Sequence, residues 1–237
     1  MKIIILTTET KHHRYFINKL EKELPGCIEC ILFENPYYAV QRTYETGPFF
    51  DTEKQQYEDL FFTDMQYEYS RSIKSKSYTV PNINTKQVAA LIKTHNLDLA
   101  ITFGTGLIKP FIFNIPKFGT INIHRGCAAN YRGLDSHLWA MYNKEFNKLD
   151  ITVHHVDETL DTGDVLSIQN MGLHNIDHIY NMRYESTVIA TSMVIDILKQ
   201  YPNVKRTKQI IKGEYYTAMS LHDKYIALKN FLQYKYE

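Results

Sequence analysis

The sequence predicts an α/β protein built on an open, mostly parallel twisted sheet, and three observations carry that expectation. The chain opens with an apolar run at 3–8 (IIILTT), a helix-spaced segment at 11–24, and a second apolar run at 27–34 (CIECILFE). Those apolar runs are unbroken rather than alternating, as strands covered on both faces require. The rhythm resumes at 85–104, where TKQVAALIKTHN reads as a helix and LDLAITFG as another buried strand.

In the first helix, Tyr15, Phe16, Leu20 and Leu24 recur at helical spacing, and Pro25-Gly26 ends it. Further strands are expected at 119–124 (GTINIH), 150–157 (DITVHHVD) and 165–170 (VLSIQN). A long helix is expected over 176–199, stopped by Tyr201-Pro202. VKRTKQIIKGEYYTAM (204–219) reads as a β-hairpin turning at Lys212-Gly213, followed by a helix with Ser220 at its N-cap and Asp223 three residues on. A lone hairpin is marginal in water, so this one packs on its own core or pairs with a second copy of the chain. The organisation is thus a main domain over 1–203, with an insertion at 35–80, and a C-terminal hairpin and helix over 204–237 that is the expected element of a homodimer. Ten Phe or Tyr residues lie between Tyr37 and Tyr69 in the insertion. They form helices with a small core of their own, or one or two rings stack on a planar ligand such as a base.

The 237 residues carry 27 Lys plus Arg against 26 Asp plus Glu, a net charge of +1, so no general attraction to nucleic acid or anionic membrane is expected. No apolar run approaches the roughly 20 residues that span a bilayer. The N-terminus lacks a signal-peptide cleavage pattern and reads as a first strand. Cys27, Cys30 and Cys127 are odd in number, and no second ligand pair completes a metal site around Cys27-x-x-Cys30, so a reduced cytoplasmic protein without metal is expected. No GxGxxG follows the first strand, which argues against a dinucleotide.

Chemistry concentrates in two stretches. In NIHRGCAANYRGLDS (122–136), Asn122 and His124 share one face of a strand, roughly 6.6 Å apart along it, while Ile121 and Ile123 share the other. Both side chains can reach one atom beyond the strand's carboxyl end, where open α/β sheets bind ligands. In ITVHHVDETLDTGDVL (151–166), a strand runs into Asp157, Glu158, Asp161 and Asp164 with no Lys or Arg to balance them. Thr162-Gly163 permits a tight turn that aims Asp161 back toward the sheet.

Together these residues resemble the folate-dependent formyltransferases, and the nucleotide-sugar N-formyltransferases among them in particular. The shared pattern is an Asn-x-His strand end (N122-I-H124), a Tyr-Arg-Gly turn (Y131-R-G133), a strand (T152-V-H-H-V-D157) and a Leu-Asp-x-Gly loop (L160-D-T-G163). The resemblance implies a Rossmann-like formyltransferase fold, Asn122, His124 and Asp161 as catalytic residues, and N10-formyltetrahydrofolate as formyl donor without a metal. It places the folate near Phe103, Gly104, Gly106, Leu107, Ile108, Val156 and Asp157.

The acceptor is read from departures. The loop after the first strand (TTETKHHRYF) has no glycine to cradle the phosphate of glycinamide ribonucleotide. Methionyl-tRNA formyltransferases add a C-terminal barrel of roughly a hundred residues, a typical domain size, and a basic face. The resemblance therefore implies a dTDP-linked 4-amino-4,6-dideoxyhexose or its 3-amino relative, in O-antigen or lipopolysaccharide biosynthesis. Lys11, His12, Arg14, Arg125, Tyr131 and Arg132 are the candidate contacts to that substrate, the arginines through their planar forks. Arg125-Gly126-Cys127-Ala128-Ala129 replaces the family's usual Pro-Ser-Leu-Leu-Pro. Another amine acceptor, or a ligand-binding module without catalysis, are the alternatives.

Overall fold

The computed structural model describes residues 1–35, 60–62, 73–174 and 176–236. Strand β1 (Ile3–Thr7) is buried along its whole length, and α1 (Lys11–Glu23) follows, with the Thr10 side chain accepting the His13 backbone N–H at its N-terminus. Then come β2 (Ile28–Glu34), β3 (Ser77–Val80) and α2 (Lys86–Lys93), the last capped in the same way by Thr85. Next are β4 (Leu99–Phe103), the short α3 (Pro110–Phe113), β5 (Thr120–His124), β6 (Tyr131–Gly133) and α4 (Ser136–Tyr142). The chain continues through β7 (Asp150–His155), β8 (Val165–Asn170), α5 (Asn181–Gln200), β9 (Glu214–Tyr216) and α6 (Leu221–Tyr236).

Seven strands form one sheet in the order β3-β2-β1-β4-β5-β7-β8. The pairs from β3 through β5 are parallel, and β7 and β8 add antiparallel strands at one edge. Strand order reverses between β1 and β4, so the connections leaving their carboxyl ends run in opposite directions and leave a crevice, the position where such sheets hold ligands. Alternation along the strands divides the core. Ile3, Ile5, Phe103, Ile121, Ile123 and Val153 pack under α1 and α5. Ile4, Leu6, Leu32 and Ala100 pack against α2 and α3 on the opposite face.

The C-terminal segment departs from expectation: the 204–219 hairpin does not form. Its first arm pairs with the sheet through the bridge of Thr207 to Val165. Its second arm, β9, pairs in parallel with β6 instead, joining Tyr131–Gly133 to Glu214–Tyr216. Gly213 explains the preference, because a side chain there would overlap the backbone of Asn130 at 2.4–2.5 Å. Helix α6 then closes over α4 through Ala227 and Phe231, and the Asn230 amide donates to the carbonyls of Met141 and Tyr142. The long helix begins at Asn181 rather than at 176, and β3 lies inside the span read as insertion. Most of that insertion, and with it the expected stacking of a ring on a base, lies outside the described residues. The segment 60–62 is helical, and Phe62 is fully buried against the rings of Tyr15 and Tyr184. No helix among the described residues is long and apolar enough to cross a membrane.

Candidate active site

Parallel pairing of β4 with β5 sets Thr102 beside Asn122, and antiparallel pairing of β5 with β7 sets His154 on its other side. The Thr102 hydroxyl donates to Asn122 Oδ1 at 2.9 Å. That fixes which way the carboxamide faces: its NH₂ points to Asp161 Oδ1 and His154 Nε2, each 3.2 Å away. His154 Nδ1 lies 2.7 Å from the carbonyl of His155, a contact only an N–H satisfies.

Two residues on, His124 is buried with Nε2 2.8 Å from the Tyr131 carbonyl, so this nitrogen carries a proton. Its Nδ1 is 3.4 Å from Asp161 Oδ2. Both ring nitrogens therefore face oxygen acceptors, an arrangement that suits an imidazolium.

Asp161 reaches this pair from a loop with its own backbone at φ +56°, in the left-handed region. Asp and Asn tolerate that region better than most residues. The glycine two residues later serves a different need: a side chain on Gly163 would sit 1.9 Å from the His155 carbonyl oxygen. Asp157 braces the loop internally, accepting from the Thr159 backbone N–H and the Thr162 hydroxyl at 3.0 and 2.8 Å. The Asp161 carboxylate accepts from the Gly133 N–H at 2.9 Å and lies 3.4 Å from His154 Nε2. Burial by itself pushes this carboxyl up. The charge of His124 and the contacts with His154 and Gly133 outweigh it and hold Asp161 well below the usual carboxylate range.

The network opens onto a cavity of about 290 Å³. Phe103, Gly104, Gly106, Leu107 and Ile108 line one wall, with Val156 beside them, all expected folate contacts. Asn122, His124 and Asp161 line its floor, together with His154. Gly104 has φ +73° and lies against the His13 ring, where a side chain would meet Nε2 at 2.6 Å. Asp157 does not border the cavity.

Of the expected substrate contacts, Arg125 is at the cavity, its guanidinium 5.4 Å from the Phe103 ring centre. Lys11, His12 and Arg14 do not line it; Arg14 pairs with the exposed Glu9, and His12 is buried beside Thr10. Tyr131 is buried, with its hydroxyl donating to Glu145. Arg132 donates to the backbone carbonyls of Gly213 and Leu160.

Sequence reasoning did not single out Thr102, His154 or Arg183 as site residues. Thr102 and His154 are placed by strand register alone. Arg183 lies in the first turn of α5 and lines the cavity with Tyr180 and Ser186. Burial, with help from Arg125 and Arg183, lowers His13 to about 3, so that ring stays neutral beneath them. Among the described residues no His, Cys, Asp and Glu cluster has the geometry of a metal site.

The sequence profile of the formyl transferase family matches residues 48–183. The methionyl-tRNA formyltransferase of Thermosynechococcus vestitus is 27% identical over 124 residues, covering 52% of this chain and 37% of that protein. That of Ehrlichia canis is 30% identical over 115 residues, covering 48% of this chain and 38% of its own. The chain thus spans less than half the length of these curated relatives. Among solved structures, a sugar N-formyltransferase from Shewanella sp. aligns over 97% of this chain and 87% of its own, with TM-score 0.62 and 15% identity. The formyltransferase PseJ from Anoxybacillus kamchatkensis, solved with UDP-4,6-dideoxy-4-formamido-L-AltNAc and tetrahydrofolate, covers 95% of this chain and 88% of its own, with TM-score 0.55 and 20% identity. Those two likenesses establish the shared fold. With the family profile running through both Asn122-x-His124 and the loop of Asp161, the chain belongs to the formyl transferase family.

Proposed function

We propose that the protein transfers the formyl group of N10-formyltetrahydrofolate to the amino group of a nucleotide-linked amino sugar. The observation that carries this reading is the closed network of Asn122, His124 and Asp161 at the carboxyl end of β5, opening onto the cavity. The cavity wall suits a planar, largely apolar ligand: Leu107, Ile108 and Val156 supply apolar surface, and Gly104 and Gly106 let backbone groups approach closely.

When bound, the donor supplies a formyl carbon on nitrogen, whose oxygen gains negative charge as an amine attacks. The Asn122 NH₂ is held by Thr102 so that it can donate to such an oxygen. His124, with Nε2 tied to a carbonyl and Nδ1 on Asp161, contributes positive charge at the same place. Asp161 is ionised in the resting site, fixes the imidazole, and assists the passage of a proton from the acceptor amine to the departing folate nitrogen. The proton that leaves the acceptor amine balances the one gained by the departing folate nitrogen.

Arg125 and Arg183 support the sugar-nucleotide acceptor. Both border the cavity, and Arg183 stands in the first turn of the 20-residue helix α5, where backbone N–H groups also favour an anion. A diphosphate matches that combination. The curated relatives favour a second reading, in which the acceptor is methionyl-tRNA. The deciding experiment supplies N10-formyltetrahydrofolate with a panel of dTDP- and UDP-linked amino sugars and, separately, charged initiator tRNA. A carbonyl-mass gain on one sugar nucleotide, lost in His124→Ala, supports the first reading. A gain on the tRNA alone overturns it.

A further inference from the structure

We propose that the extended segment 207–216 is a strap that positions Asp161, with the Gln209 side chain as its clamp. The Gln209 amide NH₂ donates to the carbonyls of Asp161 and Gly163 at 3.2 and 2.8 Å. It therefore holds the loop at the carbonyl of Asp161, the residue whose backbone is left-handed, and again two residues further on. The strap is anchored at each end. Thr207 exchanges two backbone hydrogen bonds of 2.8 Å with Val165, just beyond the loop. At the other end, β9 pairs with β6, whose Gly133 N–H holds the Asp161 carboxylate. Arg132 ties the layers together, donating to Gly213 in the strap and to Leu160 beside Asp161. A side chain on Gly133 would meet the Tyr216 carbonyl at 2.2 Å, so the strap passes directly over the residue whose N–H faces the carboxylate.

Gln209 does not line the cavity and acts through these carbonyls, which makes it a positioning residue. The inference rests on the proposed formyl transfer for its kinetic readout and stands without it for its structural one. Gln209→Met and Gln209→Glu keep the length of the side chain and remove the donor. Gln209→Lys restores a donor. Gln209 is only half-buried, so all three are expected to fold with a melting temperature close to that of the wild type. The Asp161 carboxyl, followed by carbon NMR in the unliganded protein, is expected to titrate at higher pH in the Met and Glu variants and to return toward wild type in Lys. In the formyl-transfer assay, kcat is expected to fall about tenfold or more in Met and Glu with KM for both substrates within about twofold, and to recover in Lys. Unchanged carboxyl titration in Gln209→Met overturns the clamp. If the wild type transfers no formyl group, the functional reading fails while the NMR titration still decides the strap.

Discussion

The Thr102 hydroxyl donates to the Asn122 carboxamide oxygen, and this contact decides what the amide can do. With Oδ1 occupied, the NH₂ faces Asp161 and the cavity instead of the interior of the sheet. Thr102 is itself buried and also reaches the Ile121 carbonyl at 3.2 Å, so its rotamer has little freedom.

Thr102→Val keeps the shape and removes the donor. The amide is then free to rotate, and kcat for formyl transfer is expected to drop about tenfold, a fraction of what losing an oxyanion donor outright costs. Equal kcat in wild type and variant would show that Asp161 and His154 orient the amide without it.

Asn122→Ala, His124→Ala and Asp161→Ala are each expected to lower kcat about a hundredfold or more. Because the three act as a unit, combining two should cost little beyond the worse single change. Steady-state kinetics on the three singles and one double test this, with circular dichroism confirming the fold.

Acid should destabilise the protein in two stages. Burial is the leading reason that His13 is lowered to about 3, and His137 and His155 to about 4. These rings are neutral when folded, whereas an unfolded chain protonates its histidines near ~6.5. Between ~6.5 and ~4 the unfolded state binds more protons, so stability is lost as pH falls through that window. Asp161 adds a second stage. Its folded form holds the proton less tightly than the unfolded one, so its contribution is complete above about 4 and lost on further acidification. Urea midpoints measured down the pH scale should fall from ~6.5 onward, and His155→Gln should flatten part of that slope.

Two glycines separate strain from collision. Gly26→Ala keeps a positive φ of 77° but meets nothing within 4 Å, so about 1 kcal/mol is expected. Gly163→Ala drives a methyl group into the His155 carbonyl. It should cost about 3 kcal/mol or more and displace Asp161, abolishing activity. Comparable midpoints for the two variants would contradict this account.

Arg125→Ala and Arg183→Ala should each raise KM for the anionic acceptor about tenfold while leaving kcat within a few-fold, and should weaken the salt dependence of kcat/KM. A lowered kcat at unchanged KM would move these arginines from binding to the chemical step.

The periodicity of the sequence was sufficient for six of the seven sheet strands and for α1, α2 and α5, while the edge strand β3 was read as insertion. Unbroken runs such as IIILT and LAITF read as strands buried on both faces, and the Pro, Gly and Thr residues at helix ends mark their limits through local chemistry. It also determined that Asn122 and His124 share a face, because side chains alternate along a strand whatever surrounds it. Which residues meet that face was decided elsewhere. Register across β4, β5 and β7 brings Thr102 and His154 to Asn122, and register depends on the pairing of strands distant in sequence. The C-terminal segment shows the same limit more sharply. Residues 204–219 carry a hairpin's local signals, but β9 gains more by pairing with β6, where glycines let the two backbones close. Arg132, which reads in sequence as a free cation suited to a phosphate, is drawn by that pairing onto backbone carbonyls. Local chemistry thus determined most of the elements and pointed to Asn122, His124 and Asp161, while long-range strand pairing decided the C-terminal segment and which neighbours orient those three side chains.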